Sequence, residues 1–269
     1  MHTQPGGELD LALAPNGCRH HEPAWQVILD AFDEAPPGLV AERALRHRCD
    51  TKFALSSADA SGVLETLAPH YLVLPAAGAR VASYRTLYFD TPGLASYHAH
   101  RCGRRVRHKI RIRHYVERRL STLEVKTRRT DFESTKSSQP RAFLSETLAP
   151  TDHTFLAARC SLGGTVVPQV RTLFRRITLL HRSRHERVTF DLDLRVASDD
   201  CTLSFRGAVI AEVKQWPFAR QTPAMQALQR RGGALTLSKY CLAVALTRPQ
   251  QPHNRFLPGL RRLTLLAQA

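Results

Sequence analysis

The sequence has few acidic residues and no long hydrophobic run. Only 23 Asp and Glu residues stand against 39 Lys and Arg residues, which gives a formal net charge of +16 at pH 7. No stretch of about 18 apolar residues is present that could span a membrane, and the N-terminus lacks the pattern of a secretory signal peptide. We therefore expect a cytoplasmic protein that binds a polyanion.

Several common site motifs are also missing. The six cysteines form no C-x-x-C pair, which argues against a cysteine-rich zinc site and favours free thiols. The chain has neither a P-loop nor a Rossmann glycine motif, and no G-x-S-x-G nucleophile elbow. His20-His21 and His98-x-His100 have no third candidate ligand nearby, so we interpret these histidines as surface residues.

One segment carries basic residues at every second position, namely Arg107, Lys109, Arg111 and Arg113. On a β-strand such residues share one face, about 6–7 Å apart. Like charges this close predict an anion opposite them, and a chain of phosphates would fit. Nucleic acid is the weaker alternative, because the intervening residues offer no aromatic platform for base stacking.

Other segments alternate in the same way and are predicted to be strands: 51–55, 84–89, 123–128, 172–178, 187–195 and 208–214. Helices are predicted over 24–35, 57–68, 223–231 and 257–266. Because most of the polar strand faces are rich in Arg and Lys, the pattern favours an α+β fold. It would be a closed or nearly closed antiparallel barrel with a charged lumen, its apolar outer face covered by helices.

The chain divides into three parts on composition. Residues 1–41 are rich in Pro, Gly and polar residues and are interpreted as a flexible leader with a short helix. Residues 42–248 form the main domain, and residues 249–269 a C-terminal tail.

Two glutamates stand out among the basic residues. Glu212, two positions before Lys214, could bridge Mg²⁺ or Mn²⁺ to phosphate oxygens, or could form a salt bridge to a lumen cation. Glu124 has the same relation to Lys126, and the two roles are equally balanced there. For Asp191 and Asp193 we expect charge balance beside Arg187 and Arg195 rather than metal binding.

Taken together, the motifs resemble the VTC domain, the polyphosphate polymerase module of the vacuolar transporter chaperone complex, within the triphosphate tunnel metalloenzyme (CYTH-like) superfamily. The matching pieces, in chain order, are Asp50-x-Lys52-Phe53, Leu87-Tyr88-Phe89-Asp90-Thr91-Pro92, Arg107-x-Lys109-x-Arg111-x-Arg113-x-Tyr115, Leu123-Glu124-Val125-Lys126, Phe174-x-Arg176, Arg187-Val188-Thr189-Phe190-Asp191, Ile210-x-Glu212-x-Lys214 and Ser238-Lys239-Tyr240-Cys241. They extend over residues 42 to about 247.

The resemblance implies a tunnel of eight antiparallel strands in which ATP donates its γ-phosphoryl group to a growing polyphosphate chain. It implies a metal, Mn²⁺ or Mg²⁺, at Glu212, and the local pattern that Glu124 shares with Glu212 makes Glu124 a second candidate metal ligand. The implied phosphate-binding residues are Lys52, Arg107, Lys109, Arg111, Arg113, Lys126, Lys136, Arg176, Arg187, Lys214 and Lys239. Of these, the implied catalytic group is Lys52, Arg111, Arg113, Lys126, Arg176, Arg187 and Lys239.

The sequence departs from the family pattern in ways that leave alternatives open. Arg175 beside Arg176 leaves two candidates for the lumen residue of β-segment 172–178. Thr236 stands where a second lysine is expected before Lys239. The chain shows neither the SPX domain nor the membrane helices of the fungal proteins, so we expect a free-standing catalytic domain or one with a separate membrane-protein partner. A tunnel triphosphatase and a non-catalytic polyphosphate- or nucleic-acid-binding module are the other readings.

Overall fold

The computed structural model describes residues 25–43, 45, 48–129 and 134–268. The helices are Trp25–Leu29 (α1), Leu39–Glu42 (α2), Ser57–Leu67 (α3), Ala95–Arg101 (α4), Pro150–Ala157 (α5), Pro223–Gln229 (α6), Lys239–Thr247 (α7) and Leu257–Gln268 (α8), with a 3₁₀ turn at Asn254–Phe256. The strands are Cys49–Ser56 (β1), Tyr71–Val73 (β2), Val81–Asp90 (β3), Arg107–Tyr115 (β4), Leu120–Arg128 (β5), Ser134–Arg141 (β6), Val167–His181 (β7), Glu186–Ala197 (β8), Thr202–Phe205 (β9) and Ala208–Gln215 (β10).

The strands form one antiparallel sheet, as the sequence predicts. Eight of them follow a continuous path in the order β1-β10-β8-β7-β3-β4-β5-β6, while β2 adds to β7 and β9 adds to β8, so the sheet has ten strands. Within the described residues no ladder joins β1 to β6, so the sheet is not closed into a barrel. The two ends of the path nevertheless approach each other: Lys126 Nζ of β5, the strand next to the last one, lies 3.8 Å from Asp50 Oδ2 of β1.

Alternation along the strands separates a polar face from an apolar one. On β4 and β5 the apolar residues Ile110, Ile112, Leu123 and Val125 pack with Leu156 of α5. Phe53 and Leu55 of β1 and the odd-numbered residues 209, 211 and 213 of β10 pack under α1, α3 and α6. Helices therefore cover the outer face of the sheet, as expected.

A further apolar cluster covers one end of the polar face. Ala54 and Ile210 lie two residues from Lys52 and Glu212, on the same face of their strands, and pack with the side chains of α7 and α8. Asp90 helps to hold this region together: its carboxylate accepts hydrogen bonds from the backbone N–H groups of Ser96 and Tyr97 at the start of α4, both at 2.9 Å, and from the Tyr240 hydroxyl of α7. The sequence motif around Asp90 thus anchors two helices.

The predicted helix over 24–35 is shorter in the structure. Residues 1–24 lie outside the described part of the chain, and α1 ends at Leu29. The backbone leaves the helix because Ala35 N–H donates to Val73 O at 2.8 Å and Val73 N–H donates to Asp33 O at 2.9 Å. Trp25, Leu29 and Phe32 are buried in the cluster beneath α1 and α3, so this part of the predicted leader packs on the main domain.

The helices predicted near 57–68, 223–231 and 257–266 are present as α3, α6 and α8. Ser56 caps α3 by accepting a hydrogen bond from Asp59 N–H at 3.0 Å, and Thr222 caps α6 through Met225 N–H at 3.3 Å. No helix within the described ranges is both long and apolar enough to cross a membrane.

Candidate functional site

Two connected chambers lie between the facing ends of the strand path. The first chamber has a volume of ≈ 470 Å³ and the second ≈ 200 Å³. Asp50, Lys52, Lys109 and Lys126 line both chambers. The two chambers are therefore adjacent and share walls from β1, β4 and β5, and we refer to them together as the cavity.

The basic row of β4 lines this cavity along its length. Arg107 faces the first chamber, Lys109 faces both, and Arg111 and Arg113 face the second. Burial, together with the positive charge of Lys52, lowers the pKa of Lys109. The row is therefore a wall of close, partly desolvated cations, and a bound anion would relieve their mutual repulsion.

Most of the other predicted phosphate-binding residues also line the cavity, each from a different element. They are Lys52 of β1, Lys126 of β5, Lys136 of β6, Arg176 of β7, Lys214 of β10 and Lys239 of α7. Ser238 caps α7 by accepting a hydrogen bond from Cys241 N–H at 3.4 Å, which places Lys239 at the first helical position.

Arg187 is the one predicted cation that lines neither chamber. It lies opposite Lys214 in the β8–β10 register and is half-buried. Burial, with the charges of Arg48 and Arg176, lowers its pKa. It therefore projects from the same face of the sheet as Lys214 but lies outside the lining of the two chambers.

The carboxylate of Glu212 contacts two lysines that also line the second chamber. Its Oε1 lies 2.9 Å from Lys52 Nζ, and its Oε2 accepts a hydrogen bond from Lys214. Burial alone would raise the pKa of Glu212, but the charges of Lys214 and Lys52 hold it well below its usual range. The acid is therefore ionised, and its side chain keeps 15% of its surface exposed.

Glu124 is fully engaged within the wall and faces neither chamber. It is paired with Arg111, whose Nε lies 2.7 Å from Glu124 Oε2, and with Lys136, whose Nζ lies 2.7 Å from Oε1. The hydroxyls of Tyr115 and Thr122 also donate to Oε1, at 2.8 and 3.2 Å. The charges of Arg111, Arg113 and Lys136 outweigh burial and hold the pKa of Glu124 below its usual range.

The structure resolves which arginine of β7 faces the cavity. Arg176 lines the second chamber and forms a two-point ion pair with Asp191, at 2.5 and 2.8 Å, while Lys239 binds the same carboxylate. Arg175 pairs instead with Asp193, outside the two chambers. Asp191 and Asp193 thus balance positive charge, but their partners are Arg176, Lys239 and Arg175 rather than the expected Arg187 and Arg195.

Two lysines of the cavity have lowered pKa values. Burial lowers the pKa of Lys126 to about 8, against the opposing charge of Asp50. Burial likewise lowers the pKa of Lys214 to about 8, although Glu212 opposes the shift. Their charge, and hence the attraction of the cavity for anions, therefore depends on pH around 8.

Sequence reasoning missed several residues of the lining. Arg128 follows Lys126 at two-residue spacing on β5, so the alternation already pointed to it. Arg255 and His100 come from the 3₁₀ turn and from α4, and strand periodicity carries no signal for them. The surface interpretation of His100 is wrong: it lines the first chamber, its Nε2 lies 3.1 Å from His108 O, and burial lowers its pKa to about 2. His20 and His21 lie outside the described residues.

Metal ligands are sparse in this site. The described ranges contain no group of three or more His, Cys, Asp or Glu residues that could hold a metal ion by themselves. Glu212 faces the cavity and could contribute one carboxylate ligand, whereas Glu124 has both oxygens occupied by protein donors. A cation held here would need phosphate oxygens as its remaining ligands.

Comparison with solved structures finds distant likenesses. The Hippeastrum protein HpAC1, an adenylyl cyclase candidate with a dominant triphosphatase activity, is 14% identical with a TM-score of 0.43; the match covers 74% of this chain and 95% of that one. A candidate adenylate cyclase from Bacillus halodurans is 10% identical with a TM-score of 0.42, covering 70% and 92% of the two chains. A Pyrococcus horikoshii protein is 10% identical with a TM-score of 0.45, covering 76% and 99%.

The sequence itself matches one family model. No curated protein sequence matches the chain. The VTC domain model matches residues 47–153, which include β1, the basic row of β4 and the Glu124 strand β5. The resemblance to the VTC domain that the motifs carry is thereby confirmed over residues 47–153.

Proposed function

We propose that the protein is a metal-dependent polyphosphate polymerase that transfers the γ-phosphoryl group of ATP to the end of an inorganic polyphosphate chain inside the cavity. The VTC domain match supports the family, and the cavity supports the substrate class. The sequence expectation of a cytoplasmic protein, working alone or with a separate membrane-protein partner, belongs to the same proposal.

The observation that carries the proposal is the charge imbalance of the cavity. Among the described residues, six Lys or Arg residues line the first chamber and ten line the second, with three shared. Thirteen cations therefore face three carboxylates, Asp50, Asp191 and Glu212. Such an excess of desolvated positive charge is costly unless an anion is present. Because the cations extend along β4 for about 20 Å from Arg107 to Arg113, a linear phosphate chain fits better than a compact anion.

The chemistry requires positioning rather than a side-chain nucleophile. A terminal phosphate oxygen of the polyphosphate attacks the γ-phosphorus of ATP, the bond from that phosphorus to the β–γ bridging oxygen breaks, and ADP leaves with the electron pair. Arg111, Arg113 and Arg176 would bind the equatorial oxygens, where guanidinium groups bind in a bidentate manner. The same proposal assigns phosphate contacts at the reacting centre to Lys52, Lys126, Arg187 and Lys239.

Glu212 is the proposed metal contact. A single carboxylate together with substrate phosphates is a common way to hold Mg²⁺, and Mn²⁺ accepts the same ligands. When bound, the ion would supply charge neutralisation between phosphate oxygens. Lys52 and Lys214 can then turn from Glu212 to phosphate. Glu124 fits this role less well, since Arg111, Lys136, Tyr115 and Thr122 already use its oxygens.

Incubation of the protein with ATP and Mn²⁺ or Mg²⁺, followed by gel separation of the products, tests the proposal. Long chains together with ADP are the expected result. Free phosphate without chains would indicate that the protein is a tunnel triphosphatase and not a polymerase. Tight polyphosphate binding without any turnover would leave only a binding module.

A further inference from the structure

A third pocket of ≈ 310 Å³ lies beside β3, β7 and β8. It shares no lining residue with either chamber of the cavity. Val116, which follows β4, forms part of its wall, so it lies beyond the end of β4 opposite to Arg107. The proposed polymerase reaction does not involve this pocket.

The pocket is built where two strands lose their regular register. The β7–β8 ladder shifts between Leu173 and Arg175, and Asp193 of β8 adopts a left-handed backbone conformation with φ 52°. Bulges of this kind redirect side chains and are frequent beside functional sites. Here Leu173, Arg175 and Asp193 all line the pocket.

The charges of the pocket are unbalanced in favour of anions. Four arginines line it, namely Arg85, Arg175, Arg195 and Arg206. Asp193 is the acid among the lining residues, and Arg175 already pairs with it. Within the described part of the chain, Arg85, Arg195 and Arg206 have no ion-pair partner. Up to three guanidinium groups are therefore available to a ligand.

The rest of the wall is apolar and partly aromatic. Leu173 and Val116 contribute aliphatic surface, and Tyr84 and Phe174 contribute two rings that stack with a 5.2 Å centroid separation and a 2° interplanar angle. A mostly apolar pocket with a few charged groups is typical of small-molecule sites. Guanidinium groups bind phosphate through two hydrogen bonds and also stack on flat rings. The combination suits a ligand with both an aromatic body and a phosphate.

The same two rings also contact cations that line the second chamber. The guanidinium of Arg176 lies 5.1 Å from the Tyr84 ring centre and 5.2 Å from that of Phe174, and Lys239 Nζ lies 4.6 Å from the Phe174 ring. A ligand in the third pocket would therefore touch the rings that support two cations of the cavity.

From these observations we propose that the third pocket is a second binding site, specific for a nucleotide and separate from the cavity. The base would lie against the apolar wall, and the phosphates would bind Arg195 and Arg206. Inorganic polyphosphate lacks the base and would not compete well for this site. The inference does not depend on turnover in the cavity.

Isothermal titration in metal-free buffer with EDTA tests the site. The full chain is first saturated with inorganic tripolyphosphate, which fills the cavity, and is then titrated with ADP. We expect one ADP to bind per chain under these conditions. The double variant Arg195→Gln/Arg206→Gln should bind ADP at least tenfold more weakly while retaining its affinity for tripolyphosphate. Arg230→Gln, at an exposed position after α6, is the matched control and should leave both affinities unchanged.

Two results would overturn the inference. One is complete loss of ADP binding once tripolyphosphate is present, which would mean a single shared site. The other is unchanged ADP affinity in the double variant. Retained tripolyphosphate binding shows that the variant is folded, and the single variants Arg195→Gln and Arg206→Gln replace the double variant if it is not.

Discussion

Lys52 of β1 and Glu212 of β10 lie directly opposite each other in the sheet, and their side chains form an ion pair with a separation of 2.9 Å. Lys214 binds the other oxygen of the same carboxylate. Glu212 thus carries two partners that are themselves suited to phosphate. It lines the second chamber, and under the proposed function its two lysine contacts would be exchanged for metal and phosphate contacts when substrate enters.

Glu212→Gln should reduce polymer synthesis by at least a hundredfold, because the proposed metal contact is lost. Binding of tripolyphosphate without metal should be kept or strengthened, since a negative charge is removed from an anion site. Turnover is measured with ATP and Mn²⁺, and binding is measured by calorimetry with EDTA. Glu65→Gln, an exposed acid on α3, is the control. Wild-type turnover in the Glu212 variant would refute the metal assignment.

Arg111→Lys should weaken ATP binding about tenfold, because lysine keeps the charge but loses the planar two-point contact with phosphate. The change also keeps a cation beside Glu124, so the variant should remain folded. Nucleotide affinity is measured by calorimetry, and thermal unfolding checks the fold. Unchanged affinity would show that Arg111 does not contact the nucleotide.

Glu124→Ala should act mainly on stability. The change leaves the largely buried Arg111 without its carboxylate partner, and breaking a buried pair from one side typically costs about 3–5 kcal/mol. Urea unfolding measures the loss, and Glu212→Gln, whose acid is more exposed, should lose less. A cost below about 1 kcal/mol would contradict the tight pairing seen here, since that is the range of exposed pairs.

Affinity for tripolyphosphate should fall as pH rises. Lys126 and Lys214 have pKa values of about 8 without ligand, because burial lowers them. Bound phosphate favours the charged forms, so each loses binding free energy as pH rises above 8. The expected decrease between pH 7 and 9.5 is roughly tenfold or more. The control Lys126→Arg/Lys214→Arg should have a flatter profile, because arginine keeps its charge.

For the ligand-free protein, the same two lysines predict that the free energy of unfolding rises with pH. Their pKa values in the folded state lie below the ordinary value of 10.5. Between about pH 8 and 10.5 the unfolded chain binds more protons at these positions. Their contribution to the free energy of unfolding therefore grows as pH rises through that window, which thermal unfolding of wild type against the arginine variant can detect.

Trp25→Ala should destabilise the protein by about 3–5 kcal/mol, the usual cost of removing a buried aromatic side chain. Trp25 is only 5% exposed in the core under α1. Val27→Ala on the same helix is the control, since Val27 is 68% exposed and should change stability by less than about 0.5 kcal/mol. Equal stabilities would mean that residues 25–32 do not belong to the folded unit.

The two-residue periodicity of the sequence was enough to predict most of the sheet and most of the residues that line the cavity. Arg107 to Arg113 on β4 and Glu212 to Lys214 on β10 lie where alternation places them, because a strand allows only two side-chain directions. The pattern also gave the apolar outer face beneath α5. These features follow from local chain geometry alone.

The features that alternation did not predict depend on contacts between residues that are far apart in the sequence. Which of Arg175 and Arg176 faces the cavity depends on how β7 is placed against its neighbours β3 and β8, and His100 and Arg255 enter the first chamber from helical elements. The end of α1 at Leu29 reflects backbone hydrogen bonds to Val73. None of these partners leaves a periodic signal in the residues concerned.

The pairing of β1 with β10 has a consequence for how the chain folds. Ser56 lies opposite Ala208, so the first strand of the path meets its neighbour only after most of the polypeptide has been made. Contacts of such long sequence separation slow folding and expose the waiting strand edge during synthesis. A nascent chain released before β10 would present β1 as an unprotected template for aggregation. The site at Lys52 and Glu212 is thus among the last parts of the molecule to be assembled.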